Sequence, residues 1–398
     1  MQDRRSFLNQ SVRGAVAPVI LSSLARGANE RPAYGLIGTG NRGRLLNGIF
    51  QKLGAECAAL CDVYEPNLER AKQAAPKGVR TYVDYHDLLA QRSLDFVVVA
   101  TPEHQHLPML LAGVAAGKDV YQEKPFSHKL EQNKIMIQAV RKSNRIVQIG
   151  MQRRSMPYIT KARELVRQGA LGTVSQASAS WNMLYKAPLQ DAPLDGKLDW
   201  ERFLGPAPKR PLEPKRFRWW RGFWDYSGGN STDQGAHLMD VVHSVGGFER
   251  PLSAVCSGIV KLAAGAEAPD VFSAALEYPG ALVTWSLNYC AAYDSDWRVK
   301  FLGDEAAMII DRRGARVYKN TELRDAERRG RAAEPVIEEK TDFDVDPHIR
   351  NFLDCIRTRK EPNCPVEIAA AAVTGPHLVN AALRRETKVR LNANGEMI

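Results

Sequence analysis

One hexapeptide, Gly38-Thr-Gly-Asn-Arg-Gly43, restricts the fold more than any other feature of the chain. The apolar run Ala33 to Ile37 leads straight into it, and Leu45, Leu46, Ile49 and Phe50 follow at helical spacing. That order is strand, tight turn, helix. Gly38 supplies the turn, Gly40 lets a bound group approach the backbone, and Gly43 allows the helix to close on the strand. Amides at such a helix start face outward, and the helix dipole favours negative charge there. Asn41 and Arg42 sit where a pyrophosphate would touch them. A second strand, Cys57 to Leu60, ends at Asp62, 22 residues after Gly40. An acid there accepts from ribose hydroxyls and repels the extra phosphate of NADP, so NAD is the expected cofactor.

The rhythm continues in the same way. Tyr85 to Leu89 reads as a short helix, and Asp95 to Ala100 as a strand covered on both faces. Thr101-Pro102 follows, then Glu103-His104-Gln105-His106 and a helical run to Ala116. Asp119 to Gln122 is a further strand ending at Glu123-Lys124-Pro125, with a helix over Leu130 to Lys142 and a strand over Ile146 to Ile149. Ligands of such sheets sit beyond the carboxyl ends of the strands. Gly38, Asp62, Thr101 and Lys124 all fall at those ends. Pro102, His104 and His106 are expected near the nicotinamide side, with Gln122 and Glu123 beside its ribose.

From about Met151 the pattern changes. A helix over Tyr158 to Gln168 precedes an alternating strand from Thr173 to Trp181. Residues 182 to 226 are irregular and rich in proline, basic and aromatic side chains. Strands then recur around Ala254 to Ala263, Val271 to Tyr278, Ala281 to Tyr289, Trp297 to Leu302 and Ala307 to Ile310, which suits a largely antiparallel open sheet. Thr321 to Glu339 is polar enough to be a surface loop or a frayed excursion. Two closing helices, His348 to Arg359 and Ile368 to Arg384, end the series, one of them able to return to the first domain. The fold class is therefore α/β: a Rossmann domain over 31–150, then an α+β domain over 151–390 with an insert at 182–226.

Between the insert and the later strands stands GGNSTDQGAHLMD, residues 228 to 240. A helix from about Ser231 to Ser244 would place Asp233 and His237 one turn apart on one face, with Asp240 near them. Two readings fit. Asp233 caps the helix start and His237 is a core histidine, or both line a working site.

The set GTGNRG, YQEKP at 121–125 and GGNSTDQGAHLMD resembles the glucose–fructose oxidoreductase, inositol dehydrogenase and MocA family over most of residues 31 to 390. The resemblance implies an NAD-dependent oxidoreductase acting on a secondary hydroxyl of a sugar or polyol, with the cofactor tightly held. Lys124 matches the lysine that meets the reacting hydroxyl, His237 the acid–base histidine and Asp233 its assisting acid. Pro125 is cis in relatives. The chemistry suits these groups: an imidazole takes and returns a proton near neutral pH, and an ammonium stabilises developing alkoxide charge. A second implied activity is redox-neutral glycoside hydrolysis through a transient 3-keto sugar, with Asp225 or Tyr226 as the additional base. Homodimers or homotetramers are common among relatives, through the open face of the second sheet.

The insert offers the substrate contacts. Tyr185, Trp200, Arg216, Arg218, Trp219, Trp220, Arg221 and Trp224 interleave aromatic faces with guanidiniums, which suits a carbohydrate, especially an anionic one. Arg218, Trp219 and Trp224 are the expected contacts, alongside Lys124, Asp233 and His237. The alternative is that the aromatics form the insert's own core.

Composition closes off other classes. At 398 residues, 44% hydrophobic and 25% charged, the chain is an ordinary globular one. Its +10 charge is spread along the sequence with no nucleic-acid motif, and no metal-ligand pattern appears among the six cysteines. Cys57 and Cys61 share a strand and cannot bridge, whereas Cys355 and Cys364 could. Arg4-Arg5 followed by Ser6, Phe7, Leu8 and a mild apolar run from Ala15 to Leu24 resembles a twin-arginine export signal over residues 1–30. That run is shorter than the ~20 residues a membrane span needs. A periplasmic enzyme without stable membrane insertion is the expectation.

Overall fold

The computed structural model describes residues 31–185, 192–262, 265–341 and 344–398. The expected leader, residues 1–30, lies outside them. Six parallel strands form the first sheet: β1 (Ala33–Ile37), β2 (Glu56–Cys61), β3 (Arg80–Tyr82), β4 (Phe96–Val99), β5 (Asp119–Gln122) and β6 (Val147–Ile149), in the order β3-β2-β1-β4-β5-β6. This is the Rossmann order, and its direction reverses between β1 and β4. The apolar runs of β1, β4 and β5 are buried throughout because helices cover both faces. Only β3 escaped the sequence reading; its three residues are partly exposed and carry no apolar run.

Tyr34, Phe50, Phe96, Tyr121 and Phe352 pack together with ring centroids 5.2 to 6.3 Å apart. Phe352 belongs to the helix Asp346–Thr358, so the first closing helix does return to the Rossmann core. Truncating such a buried ring costs about 3–5 kcal/mol.

The second domain holds β7 (Val174–Asn182), β8 (Ser253–Ile259), β9 (Val271–Tyr278), β10 (Ala281–Asn288), β11 (Asp296–Gly303), β12 (Ala306–Asp311), β13 (Gly314–Lys319), β14 (Ile337–Lys340) and β15 (Val389–Arg390). Their order is β14-β13-β12-β11-β7-β10-β9-β8-β15. All pairs are antiparallel except β7 with β10. Inward residues such as Trp285, Trp297 and Phe301 pack against the helices Gly229–Gly246 and Val366–Arg385. The latter is, among the described residues, the one helix long and apolar enough to cross a membrane, yet 67% of its apolar window is buried within the protein.

Two expectations fail here. Thr321 to Glu339 is not a loop: Asn320–Arg328 is a helix that buries only Ala326, and Ile337–Lys340 pairs with β13. Charged exposed faces hid both. Nor do Cys355 and Cys364 form a bridge; all six thiols are free, and the Cys355 thiol is turned toward the Glu361 carbonyl at 3.6 Å.

Candidate active site

The two domains meet at a cleft of about 820 Å³ lined by Gly38, Gly40, Asn41, Arg42, Asp62, Thr101, Pro102, Glu123, Lys124, Gln152, Asp233 and His237. Its floor is the glycine turn. Gly38 has φ +87°, and a side chain there would meet the Ala100 carbonyl oxygen at 2.6 Å. A Cβ on Gly43 would stand 1.9 Å from the Gly38 oxygen, so that glycine serves helix–strand closure and does not itself line the cleft. Around Gly40, by contrast, no protein atom lies nearer than 3.9 Å to the missing side chain. Packing does not require a glycine there, and the vacant space faces the cleft. The helix Asn41–Lys52 starts with no acidic residue and no side-chain cap, so its first amides are open to an anion. These features fit a dinucleotide.

Asp62 lines the cleft but is already occupied. Its Oδ2 accepts from the Thr39 amide at 2.7 Å and the Thr39 hydroxyl at 3.0 Å, and its Oδ1 from the Tyr64 amide at 2.9 Å. Of about four acceptor positions on a carboxylate, at least three hold the turn together. Arg42 crosses to Glu123, 2.7 Å away at the end of β5. Asn41 accepts from Arg44 at 2.7 Å.

Lys124 follows β5 through a cis peptide to Pro125. Its ammonium donates to Asp233 Oδ1 at 2.5 Å and to the Asp233 carbonyl at 2.8 Å. With three donors on the ammonium, one remains for a visitor. Asp233 Oδ2 lies 3.2 Å from Arg221 Nε. Burial works to raise the Asp233 pKa, but Arg221 and Lys124 outweigh it and hold the carboxyl well below the usual range. His237 stands one turn further along, 7% exposed. Its pKa is pushed well below the ordinary value by burial first, then by Arg153, Lys124 and Arg42. It is therefore a neutral imidazole, and its Nδ1 has no partner among the described residues. Its Nδ1 is buried and its pKa lowered, so the neutral ring offers a weakly basic acceptor to a bound hydroxyl.

Several expected residues lie elsewhere. His104 and His106 sit behind the cleft wall, not in it. His104 Nε2 lies 2.7 Å from the Phe203 carbonyl, and His106 lies between the Pro125 and Thr101 carbonyls at 2.7 and 3.1 Å. They brace loops, because buried imidazoles take the nearest carbonyls. Asp240 is sealed against Arg154, Oδ1 to Nη2 at 2.9 Å, and does not join Asp233 and His237. Trp219 stacks on Tyr185 at 5.3 Å, and Trp224 lies under Arg384 at 5.4 Å; neither lines the cleft. Arg218 does line it, held by the carbonyls of Ala192 and, at 2.6 Å, Pro193. Asp225 and Tyr226, the extra bases of the hydrolytic alternative, stand outside the cleft. Asp225 is paired with Arg210 at 2.5 Å, and Tyr226 is buried in the insert's small core with Phe203 and Phe223.

Two residues were passed over. Arg221, one of eight candidates in the insert, is the one that reaches Asp233. Glu103 is fully buried at the start of the helix Gly229–Gly246, accepting from the Ser227 hydroxyl at 2.6 Å, the Gly228 amide at 2.8 Å and the Thr232 hydroxyl at 3.0 Å. Burial pushes its pKa up to about 7 against those bonds. It thus ties the first domain to the helix bearing Asp233. Its place directly after the strand-end Thr101-Pro102 was the available signal.

Comparison with known proteins agrees with this anatomy. Residues 33–151 match a family model described as "Oxidoreductase family, NAD-binding Rossmann fold". Residues 158–253 and 207–389 match two models of the same oxidoreductase family's C-terminal alpha/beta domain. Inositol 2-dehydrogenase of Rubrobacter xylanophilus is 32% identical over 151 residues, 37% of this chain and 43% of that protein. Inositol 2-dehydrogenase 4 of Saccharopolyspora erythraea is 32% identical over 149 residues, 36% and 44%. The matched segment thus spans less than half the length of these relatives. Among solved structures, the WlbA dehydrogenase of Bordetella pertussis, in complex with NADH and UDP-GlcNAcA, superposes with TM-score 0.71 at 20% identity, covering 91% of this chain and 99% of that one. The aldose-aldose oxidoreductase of Caulobacter crescentus gives 0.70 at 20%, covering 91% and 100%.

Proposed function

The chain belongs to the Gfo/Idh/MocA oxidoreductase family, and from that premise we propose that it is an NAD-dependent dehydrogenase of a secondary hydroxyl on a sugar or polyol. One observation carries the reading. Lys124 from the first domain and His237 from the second converge on the same cleft that the glycine turn opens into. When bound, NAD would supply a hydride-accepting ring at the β4–β5 end of that cleft. Gly38, Gly40 and the first amides of the helix Asn41–Lys52 would hold its phosphates, and Asp62, Thr101 and Pro102 would flank it.

The remaining chemistry belongs to the chain. Lys124 places its third N–H on the substrate oxygen and stabilises negative charge there as the hydroxyl ionises. Neutral His237 accepts the hydroxyl proton. Asp233 stays ionised and fixes the ammonium, so little reorganisation is needed as charge develops. The test is to denature the purified protein, identify the released nucleotide, and follow nicotinamide absorbance with a panel of polyols and sugars. NADH formation with at least one of them is expected. Aglycone release from aryl glycosides without nicotinamide reduction would overturn the reading.

The same proposal includes export of the folded enzyme through Arg4-Arg5, checked by whether replacing both with Lys retains a fused reporter in the cytoplasm. It also includes pairing of copies through the uncovered sheet face. Ser180, Ser273, Ala275, Thr284 and Ser286 alternate there with inward-facing core residues and present small side chains outward. Light scattering on the purified protein reads the assembly directly, and a monomer at micromolar concentration would refute it.

A further inference from the structure

Beside the reacting position two cleft-lining cations meet a single cleft-lining carboxylate. Arg202 is matched by Asp199 and Asp84, Lys209 by Glu201, and Arg42 by Glu123. Lys124 and Arg221 share a single carboxylate, Asp233. The carboxylate of Asp233 is divided between two cations, with the buried Glu103 as the next acid that acts on Arg221. Arg221 approaches Asp233 most closely through Nε, 3.2 Å from Oδ2, and its guanidinium carbon lies 4.1 Å from the centroid of the Trp220 ring. The ring on one side and the carboxylate on another limit where the guanidinium can sit. The Nη1 and Nη2 groups make no hydrogen bond among the described residues, and the side chain, 39% exposed, opens into the cleft.

A guanidinium held in this way offers two parallel N–H donors at fixed spacing, which matches a carboxylate better than a hydroxyl or a lone point charge. Resting on the dehydrogenase reading above, we propose that the substrate is a sugar acid whose carboxylate docks on the Nη1/Nη2 fork of Arg221, while Lys124 and His237 hold the hydroxyl to be oxidised. Both anchors share Asp233, so the carboxylate and the reacting hydroxyl are held in one fixed geometry. A neutral sugar leaves the fork hydrated and loses that alignment. The tryptophan at 220 acts as the platform on which the fork rests.

The experiment is calorimetric titration of the NADH-loaded protein with D-glucuronate, D-glucose and D-glucose 6-phosphate, repeated in Arg221→Lys, Arg221→Gln and Arg221→Ala variants whose melting points are recorded. Glucuronate is expected to bind at least tenfold more tightly than glucose. Arg221→Gln and Arg221→Ala bring the two within about twofold of each other, and Arg221→Lys retains part of the preference. Equal affinities in the unaltered protein, or an equal loss for both sugars in Arg221→Ala, would mean that Arg221 only supports Asp233 and would overturn the proposal. Tighter binding of the phosphate ester, with the same dependence on Arg221, would replace carboxylate by phosphate and overturn it too. Titration reads binding without turnover. Failure of hydride transfer with any substrate would thus refute the dehydrogenase reading while leaving a measured carboxylate preference intact.

Discussion

Asp233 and Asp240 stand on one helix, seven residues apart, and therefore on nearly the same stripe of its surface. Their surroundings set them to different work. Asp233 is shared between Lys124 at 2.5 Å and Arg221 at 3.2 Å, at the edge of the cleft. Asp240 is 1% exposed and takes Arg154 Nε at 3.0 and 3.2 Å, while Arg154 also donates to the Asn363 carbonyl at 2.7 Å. Burial raises the Asp240 pKa even against Arg154, whereas two cations keep that of Asp233 depressed. A carboxylate with more positive charge than it can neutralise leaves donors over for a ligand. One matched by a single sealed arginine holds a helix in place.

The sharpest way to test the contrast is to remove the groups that face outward. Lys124→Ala and His237→Asn should each lower turnover about 10²–10⁴-fold, with nucleotide still retained, measured by nicotinamide absorbance and by release on denaturation. Normal turnover in both would dissolve the distinction between the two ends of the helix. On the inward side, Asp240→Ala leaves Arg154 buried without a counter-charge and should destabilise the fold by about 3–5 kcal/mol, read from urea midpoints. Asp233→Asn should cost less stability, because Lys124 and Arg221 retain access to cleft water, but should abolish activity. Equal stability losses would break the comparison.

Acidity separates the two sites further. Seven of the eight histidines, His104, His106, His128, His237, His243, His348 and His377, are buried or half-buried with lowered pKa values, about 3 for His104, His243 and His348 and about 4 for His128 and His377. The unfolded chain binds protons at these sites from pH ~6.5 downward while the fold does not. Stability therefore falls with pH below about 6.5, by up to about 1.4 kcal/mol per pH unit for each histidine. The depressed Asp233 adds a later loss, below pH ~4 and down through its folded value. Asp240 has the opposite sign, since its raised value favours the fold as it protonates. Urea midpoints between pH 7 and 4.5 should fall steeply, and the slope for His237→Asn should be shallower by one histidine's share. An unchanged slope would mean that His237 is charged in the fold.

How much of this was legible follows from where each signal originates. The strands of the first sheet are continuous apolar runs, so their positions and carboxyl ends could be read directly, and with them the glycine turn, Asp62 and Lys124. The helix carrying Asp233 and His237 was equally visible. Asp240 was not separable from them, because helical spacing reports a face and not what packs on it. His104 and His106 follow a strand end and were placed in the cleft, yet the chain turns there so that both rings meet backbone carbonyls. In the insert, aromatic and basic residues alternate without a period. Nothing in their order distinguishes Trp200, which packs on the small core away from the cleft, from Phe217 and Trp220, which touch both, or from Arg221, which lines the cleft. Only the fold selects among them.

The smallest expected effect concerns Asp62, and it extends the comparison from the helix to the glycine turn. An acid at this position can work outward, on ribose hydroxyls, or inward, on the turn itself. Thr39 and Tyr64 take three of its acceptor positions, so its inward role resembles that of Asp240, although it lines the cleft as Asp233 does. Asp62→Ala should weaken NAD binding more than NADP binding, because the charge that repels a ribose phosphate is lost. The change in preference should be less than about tenfold, since much of the carboxylate already serves the Thr39 backbone and only one hydrogen bond's worth of discrimination remains. Asp62→Asn should retain more of the turn and show the change in preference with less loss of overall affinity. Equilibrium titration of both nucleotides against each variant measures the ratio directly. A preference that does not change in either variant would assign Asp62 wholly to the turn, leaving selection against the phosphorylated nucleotide to the shape of the cleft.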